Sequence, residues 1–460
     1  MSDLEAVAAK LRPLLGPKGL LEGEDAEWRR GRGAHAGPRF AVRPASTEEL
    51  SKVLRICWEA GQPVVPQGGH TGLSDSTIAG PDDIALSLER MTEVEEIDEI
   101  TGTVTVQCGA PLQSVQEAVE KKGYMLPLDL GARGSATIGG TISTNAGGNR
   151  VIRYGMMRDM VLGLEAVMAD GTVVTSLNKM LKNNTGYDLK QLFIGTEGTL
   201  GVVTRAILRL RPLPRSQDTA FVSVESFEKL PPLLKHMQAT LSGTLSAFEV
   251  MWTDFYALVT SPPALGRPPL PQGRPFYVLI ETLGGNQEAD SERFEAALGE
   301  ALELEMIDDA VIAKSEGERQ AMWAIRDDVG QVRQLRPVFI YDIGMPLNEM
   351  DGYTKELKSR LDARWPSNRL MLFGHLGDGN LHVVLGVGDN KDETRVEVED
   401  IVYGLLKGFK GSISAEHGIG LLKKPHFNIS RSETEIELMR ILKRALDPKN
   451  ILNPGKVVSI

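Results

Sequence analysis

The segment Phe373-Gly-His-Leu-Gly-Asp-Gly-Asn-Leu-His-Val-Val384 sets His375 and His382 symmetrically about Asp378-Gly379. Asp-Gly between apolar flanks is a strong signal for a two-residue hairpin turn, because Gly takes positive φ at low cost. A turn there puts residue 375 opposite residue 382 and both side chains on one face, with Cβ atoms about 5 Å apart. Two imidazoles so placed suit one metal ion. Ser414-Ala-Glu-His-Gly-Ile-Gly420 offers a third ligand in Glu416, beside His417. Of the chain's seven histidines, three fall in these two segments. The bland alternative is a glycine-rich loop with incidental histidines; the symmetry and the Glu-His pair favour the metal.

The 460 residues allow two or three domains, each with its own core. A net charge of -11 argues against nucleic acid and against an anionic membrane surface. Two distant cysteines, Cys57 and Cys108, suggest no disulfide framework and a reducing compartment. Met1 to Leu15 reads as a short amphipathic helix, without the basic start and apolar run of a signal peptide. No stretch approaches the ~18 unbroken apolar residues of a membrane span. These features point to a cytoplasmic protein.

Along the chain, Ser46-Thr-Glu-Glu49 is a capping box for a helix that Gly61 stops. A short strand, Pro63–Pro66, runs into Gln67-Gly-Gly-His-Thr-Gly-Leu-Ser74, whose clustered amides can cradle a phosphate or simply form a turn. Leu126–Gly140 and Thr144–Gly148 are rich in Gly, Ser and Thr but interleaved with Leu128, Leu130, Ile138 and Ile142, as in backbone wrapped closely round a ligand. Gly195–Gly201 leads into a strand, Val202–Leu210, ended by Pro212 and Pro214, where a domain boundary is expected. From Thr219, strand-like runs alternate with helical ones, including Glu316–Gly330, which predicts an α+β domain with helices covering a sheet. No nucleotide-binding Gly-x-Gly-x-x-Gly opens a helix, and no Walker loop, Gly-x-Ser-x-Gly or His-Glu-x-x-His is present. The residues alone therefore predict a glycine-rich first domain round a phosphate-bearing cofactor, and a second domain with a two-His, one-carboxylate metal site.

Pro66-Gln-Gly-Gly, Pro127-Leu-Asp-Leu-Gly, Ala136–Gly140, Asn145–Gly148, Asn184–Leu192, Gly195–Gly201, Gly374–His382 and Glu416–Gly420 together carry a resemblance. In register from about Arg43 to Lys456, the chain resembles the FAD-linked D-2-hydroxyacid dehydrogenases of the vanillyl-alcohol oxidase / p-cresol methylhydroxylase superfamily. It stands nearest the D-2-hydroxyglutarate branch, with the D-lactate and glycolate branches close by. The fold class implied is α+β: a two-part FAD-binding domain of the p-cresol methylhydroxylase type plus an α+β substrate cap with an antiparallel sheet covered by helices. The expected division is 1–214 for FAD, 215–425 for the cap with the metal site, and 426–460 returning to the FAD domain.

The resemblance implies FAD, bound non-covalently, and Zn. Pro66, Gln67, Gly68, Gly69, His70, Thr71, Gly72 and Leu73 would hold the pyrophosphate. Pro127, Asp129, Gly134, Thr137, Ile138, Gly139, Gly140 and Thr141 would line the cofactor, with Asn145, Ala146, Gly147 and Gly148. Glu197, Gly198, Gly201, Val202, Val203 and Asn453 would lie alongside. His375, His382 and Glu416 match the family's Zn ligands, His417 its general base, and Arg326 the arginine that holds the substrate carboxylate. On pattern alone Arg326 reads as a surface helix charge; only the family match reverses this. The implied reaction takes the hydroxyl proton of a metal-bound D-2-hydroxy acid to His417 and its C2 hydride to flavin N5, leaving a 2-oxo acid. No residue marks the electron acceptor, for which an electron-transfer flavoprotein and a quinone are the candidates, and a homodimer is possible.

The chain departs from its hydroxyglutarate-specific relatives, which carry Thr, Lys and Asn where Gly330, Ile340 and Val384 stand. Arg333 or Arg336 could substitute; otherwise a shorter or uncharged substrate tail is favoured. His70 is a second departure, standing where those relatives have Asn. Gly-Gly-His resembles the segment that other oxidases of the superfamily bond to the flavin 8α-methyl, and a neutral imidazole could equally replace the amide as a hydrogen-bond partner. Two other functions compete: an FAD oxidase acting on a polyol or aldonolactone with O2, and a non-catalytic subunit of a larger complex.

Overall fold

The computed structural model describes residues 3–31 and 36–460. It comprises two compact units. The first holds Met1–Gly147, Gly155–Leu213 and Glu416–Ile460; the second holds Gly148–Tyr154 and Pro214–Ala415. The sequence placed its divisions at 214/215 and 425/426; they lie here at 213/214 and 415/416, and residues 148–154 join the second unit.

In the first unit, helix Thr47–Ala60 starts where Ser46 Oγ accepts from Glu49 N at 3.2 Å. It buries Leu50, Val53, Leu54 and Cys57 on one face and stops at Gly61, φ +67°. The chain then enters strand Val64–Gln67, parallel to Ile84–Ser87. These belong to a four-stranded sheet in the order Leu20–Glu22, Phe40–Val42, Ile84–Ser87, Val64–Gln67. A five-stranded antiparallel sheet follows in the order Val94–Asp98, Thr103–Gln107, Val202–Arg209, Val161–Val167, Val173–Ser176. Its last two strands form a hairpin about Asp170-Gly171, a dipeptide that suits a tight turn, with Gly171 at φ +84°.

The C-terminal segment is tied into this unit. Val64 N donates to Ile451 O at 2.7 Å, and Asn453 N donates to Val64 O at 2.8 Å. Lys443, buried on helix Glu433–Leu446, donates to Asp447 Oδ2 at 2.6 Å, Leu452 O at 2.7 Å and Thr199 O at 2.8 Å. A buried ammonium tolerates such a place only with its donors satisfied.

The second unit is built on a seven-stranded antiparallel sheet. Its spatial order is Asp309–Ile312, Ser216–Val224, Phe276–Gly284, Leu245–Trp252, Arg369–His375, Asn380–Gly386, Phe339–Gly344. On one face Phe221, Met251, Tyr277, Phe373 and Val384 form a core with Phe255 and Val259 of helix Thr253–Thr260 and Met322 and Ile325 of helix Glu316–Asp327. Alternate residues such as Val222, Val250 and Ile280 are buried too, so the sheet is covered on both sides. Helix Glu316–Asp327 ends before the expected Gly330, because Asp328 leaves helical geometry at ψ +43°. A 3₁₀ segment, Val329–Leu335, then adds Val332 to the same core. Among the described residues no helix is long and apolar enough to cross a membrane.

Candidate active site

The first unit contains a cavity of about 300 Å³ and another of about 270 Å³. Gly68, Gly69, Ser76, Thr77, Thr137 and Gly140 stand in the walls of both. Helix Ile138–Thr144 supplies one side; Thr137 caps it, its Oγ1 accepting from Gly140 N at 3.2 Å, and Asn145 ends it at φ +50°. At Gly69 a side chain is impossible, since an ideal Cβ would lie 1.8 Å from Ser135 O. Backbone so close, lined by glycines and by the hydroxyls of Ser76, Thr77 and Thr137, is a cradle of the kind a phosphate-bearing cofactor needs.

Several expected cofactor residues line these cavities. Pro66, Gln67, Glu197, Gly198, Gly201, Val202 and Val203 line the larger one, while His70, Thr71, Gly72, Thr141, Ala146 and Gly147 line the other. Gly139 lies in the wall of the first. Leu73, Pro127, Asp129, Gly134, Ile138, Asn145 and Asn453 do not line either. Ile138 is a core residue, and Asn145 Oδ1 accepts from Arg158 N at 2.9 Å. Asp129 pairs with Arg133 at 3.6 Å. Asn453 Nδ2 donates to Ser76 O at 3.1 Å and Glu197 O at 2.7 Å, so it ties cavity walls together from behind. Gly148 belongs to the second unit. Sequence reasoning missed Ser87, Glu89, Cys108 and Gly109 in the larger cavity and Leu130–Ala132 in the other.

Glu416 and His417 stand in the wall of the smaller cavity, with His70. Their segment is fixed from two sides. Ser74 Oγ donates to His417 O at 2.9 Å, and the Glu197 carboxylate accepts from Ile419 N at 2.7 Å and Gly420 N at 3.0 Å. Burial pushes the Glu197 carboxyl above the usual glutamate range, against those amides and the Lys423 charge. His70 takes a left-handed φ of +54°. Its Nε2 is buried and makes no hydrogen bond among the described residues. Burial, and then the Arg29 charge, hold its imidazole below the ordinary histidine range, so the neutral ring is favoured.

The second unit brings His375 and His382 together, in a register that differs from the expected one. Phe373, not His375, is opposite His382. A two-residue Asp-Gly turn needs positive φ at both positions. Here only Gly379 has it, at +81°; Leu376–Asp378 forms a 3₁₀ turn, and Asp378 Oδ1 accepts from Asn380 N at 3.1 Å. The slip is two residues, and strand side chains alternate with period two, so both histidines stay on one face. Their rings are edge to face, centroids 5.2 Å apart, with Nε2 atoms 3.4 Å apart.

Register gives each histidine a carboxylate as well. Glu249 is opposite His375, and Asp342 is opposite His382. Glu249, His375, His382 and Asp342 thus lie on one face of four adjacent strands, with a two-residue step between the histidines. His375 Nδ1 is 2.7 Å from Glu249 Oε1, and His382 Nδ1 is 3.6 Å from Asp342 Oδ1. Both Nε2 atoms therefore face each other while both Nδ1 atoms face buried carboxylates. Carboxylate-backed imidazoles with converging second nitrogens are the donor set a Zn ion takes. Arg326 is not a surface charge: it is buried, its Nε donating to Glu249 Oε2 at 2.8 Å and its Nη2 lying 3.3 Å from His375 Nε2. Burial opposes ionisation of Glu249 most strongly, yet the His375 and Arg326 charges outweigh it and hold the carboxyl below the usual glutamate range.

One pleat away on the same face, fully buried Glu281 accepts from Arg150 Nε at 3.1 Å, Gln217 Nε2 at 2.7 Å, Ser246 Oγ at 2.8 Å and Trp323 Nε1 at 2.9 Å. Sequence reasoning missed Glu249, Asp342 and Glu281. The signal was available: each is a lone carboxylate inside an apolar strand, and acids are almost never buried without partners.

Two family models match the chain: "FAD binding domain" over residues 38–176 and "FAD linked oxidases, C-terminal domain" over residues 213–457. A protein of Bos taurus, named D-2-hydroxyglutarate dehydrogenase, mitochondrial, is 39% identical, over 95% of this chain and 80% of that one. The chain belongs to the FAD-linked D-2-hydroxyacid dehydrogenase family. A Saccharomyces cerevisiae member of this family, named D-2-hydroxyglutarate–pyruvate transhydrogenase, is 35% identical, over 90% of this chain and 85% of that one. Among solved structures, p-cresol methylhydroxylase with substrate bound superposes with a TM-score of 0.77 at 16% identity, covering 99% of this chain and 97% of that one. That likeness speaks for the fold, which is the one expected from sequence.

Proposed function

We propose that this family member is an FAD- and Zn-dependent dehydrogenase that oxidises a D-2-hydroxy acid to the 2-oxo acid. The observation that carries the reading is the set Glu249, His375, His382 and Asp342 on one sheet face, with two Nε2 atoms 3.4 Å apart. The glycine-lined cavities fit FAD, and the paired imidazoles fit Zn; the resemblance adds Glu416 as third ligand. When bound, FAD supplies a two-electron acceptor and Zn a Lewis acid.

The chain's own groups do the rest. Glu249 orients the His375 ring through Nδ1 at 2.7 Å, and Asp342 stands 3.6 Å behind His382 Nδ1, so that each ring presents Nε2 as its ligand atom. Arg326, with five donors in a rigid fork, holds the substrate carboxylate; its charge is kept in place by Glu249. His417 takes the hydroxyl proton at a ring nitrogen. Its backbone is anchored by Ser74 and its neighbours by Glu197, so the base has a fixed origin. The test is anaerobic reduction of the holoenzyme's flavin by D- and L-2-hydroxy acids, with His417→Ala as the control; bleaching by the D-forms only, lost in the variant, is expected.

A second reading, an FAD oxidase of the same fold acting on a polyol or aldonolactone, is favoured by His70, whose Nε2 is buried without a partner among the described residues in the cavity wall. Bleaching by those alcohols and not by D-2-hydroxy acids would select it.

A further inference from the structure

We propose that the second unit selects a 2-hydroxy acid with an uncharged, apolar tail, and that Ile340 is the side chain that sets this preference. The inference rests on the dehydrogenase reading above and adds the substrate class to it. Its basis is the row of side chains next to the histidines. Moving two residues along each strand from His382, Asp342 and Phe373, a step of roughly 7 Å, keeps to the same face. The register makes the next row Val384, Ile340 and Met371: Ile340 is opposite Val384, and Val384 is opposite Met371. None of the three carries a charge or a hydrogen-bond donor. Val384 is fully buried in an apolar cluster with Val332, against which Val329, Val338 and Met371 pack, so it backs the row without facing a ligand.

Ile340 is the exception that marks an open end. Its strand is otherwise buried or half-buried, yet Ile340 is 53% exposed. A large aliphatic side chain left open at the end of an apolar row, one pleat from the paired imidazoles, suits an apolar ligand group. A five-carbon hydroxydicarboxylate anchored near the histidines would bring its second carboxylate to this row. A carboxylate placed against apolar side chains loses its hydration without gaining a partner, which is strongly unfavourable. Arg369 lies on the same strand face as Met371 but four residues from Phe373, roughly 13 Å along the strand. Arg333 and Arg336 extend from the 3₁₀ segment and its end into solvent.

The test compares kcat/KM of the FAD- and Zn-loaded enzyme, by dye reduction, for D-2-hydroxyisocaproate, D-3-phenyllactate, D-lactate, D-malate and D-2-hydroxyglutarate. One or both of the first two should exceed D-2-hydroxyglutarate by about ten-fold or more, since an unpaired carboxylate against that row costs at least that. Ile340→Lys, at an exposed position, should move the ratio toward D-2-hydroxyglutarate by a similar factor, with flavin content and Tm unchanged. Calorimetric binding of the matching 2-oxo acids should follow the same order. A wild-type preference for D-2-hydroxyglutarate overturns the inference but leaves the dehydrogenase reading standing; if that preference vanishes in Arg333→Ala or Arg336→Ala, the tail contact belongs to those arginines. An unchanged ratio in Ile340→Lys removes Ile340 from the account. No turnover of any D-2-hydroxy acid overturns both readings together.

Discussion

Replacing Glu249 with Gln keeps the side chain's size and removes its charge. In the structure that charge is 1% exposed and serves His375 Nδ1 at 2.7 Å and Arg326 Nε at 2.8 Å. The contact of Arg326 with Asp327 Oδ1, at 3.4 Å, is longer and is to a half-exposed carboxylate. Removing one partner of a buried pair typically costs 3–5 kcal/mol, and the retained amide oxygen puts Gln at about 3 kcal/mol. For a unit of this size each kcal/mol moves Tm by roughly 2–4 °C, so a fall of about 6–12 °C is expected in calorimetry. Loss of the oriented Nδ1 partner should also weaken Zn binding by about 10–100-fold in competition with a chromogenic chelator. A variant with wild-type Tm and wild-type Zn affinity would refute the reasoning, because it would mean that Glu249 neither neutralises Arg326 nor holds His375.

Three further outcomes follow. Dialysis against a strong chelator should abolish turnover while leaving FAD bound, and added Zn should restore it; full activity without metal counts against the His375–His382 site. Acid precipitation should release yellow FAD into the supernatant if His70 only hydrogen-bonds the cofactor, whereas colour retained in the pellet and lost in His70→Asn would establish a covalent bond. Both cysteines are free and buried, with burial pushing the Cys57 thiol up to about 12 and Cys108 up as well, so neither should react with a disulfide reagent until the protein unfolds.

Local signals in the sequence were strong where a few neighbouring residues decide the structure. Ser46 and Gly61 mark the ends of a helix, Asp170-Gly171 a hairpin, and Pro212 and Pro214 the end of a unit, each through its own backbone chemistry. The glycines at 68, 69, 139 and 140 announced a close backbone approach, and they line the cavities. Less was legible where distant strands decide. The pairing of His375 with Glu249 and of His382 with Asp342 depends on sheet order, which brings together residues 126 and 40 positions apart in the chain. The Asp378-Gly379 turn was misread by two residues because a 3₁₀ turn with one positive φ uses the same dipeptide. The face survived that error, since a two-residue slip does not invert a strand. Arg326 looked exposed because its helix is amphipathic and lies near polar residues; only the buried Glu249 explains why a guanidinium sits in the core.

The central claim is that this chain removes a hydride and a proton from a D-2-hydroxy acid. Anaerobic mixing of the FAD- and Zn-loaded protein with a D-2-hydroxy acid, followed through the flavin absorption band, tests it in one step. The account predicts stoichiometric bleaching by at least one D-acid, none by its L-enantiomer, and the matching 2-oxo acid as product. An oxidised flavin that persists with every D-2-hydroxy acid, or one bleached only by polyols or aldonolactones, would contradict it.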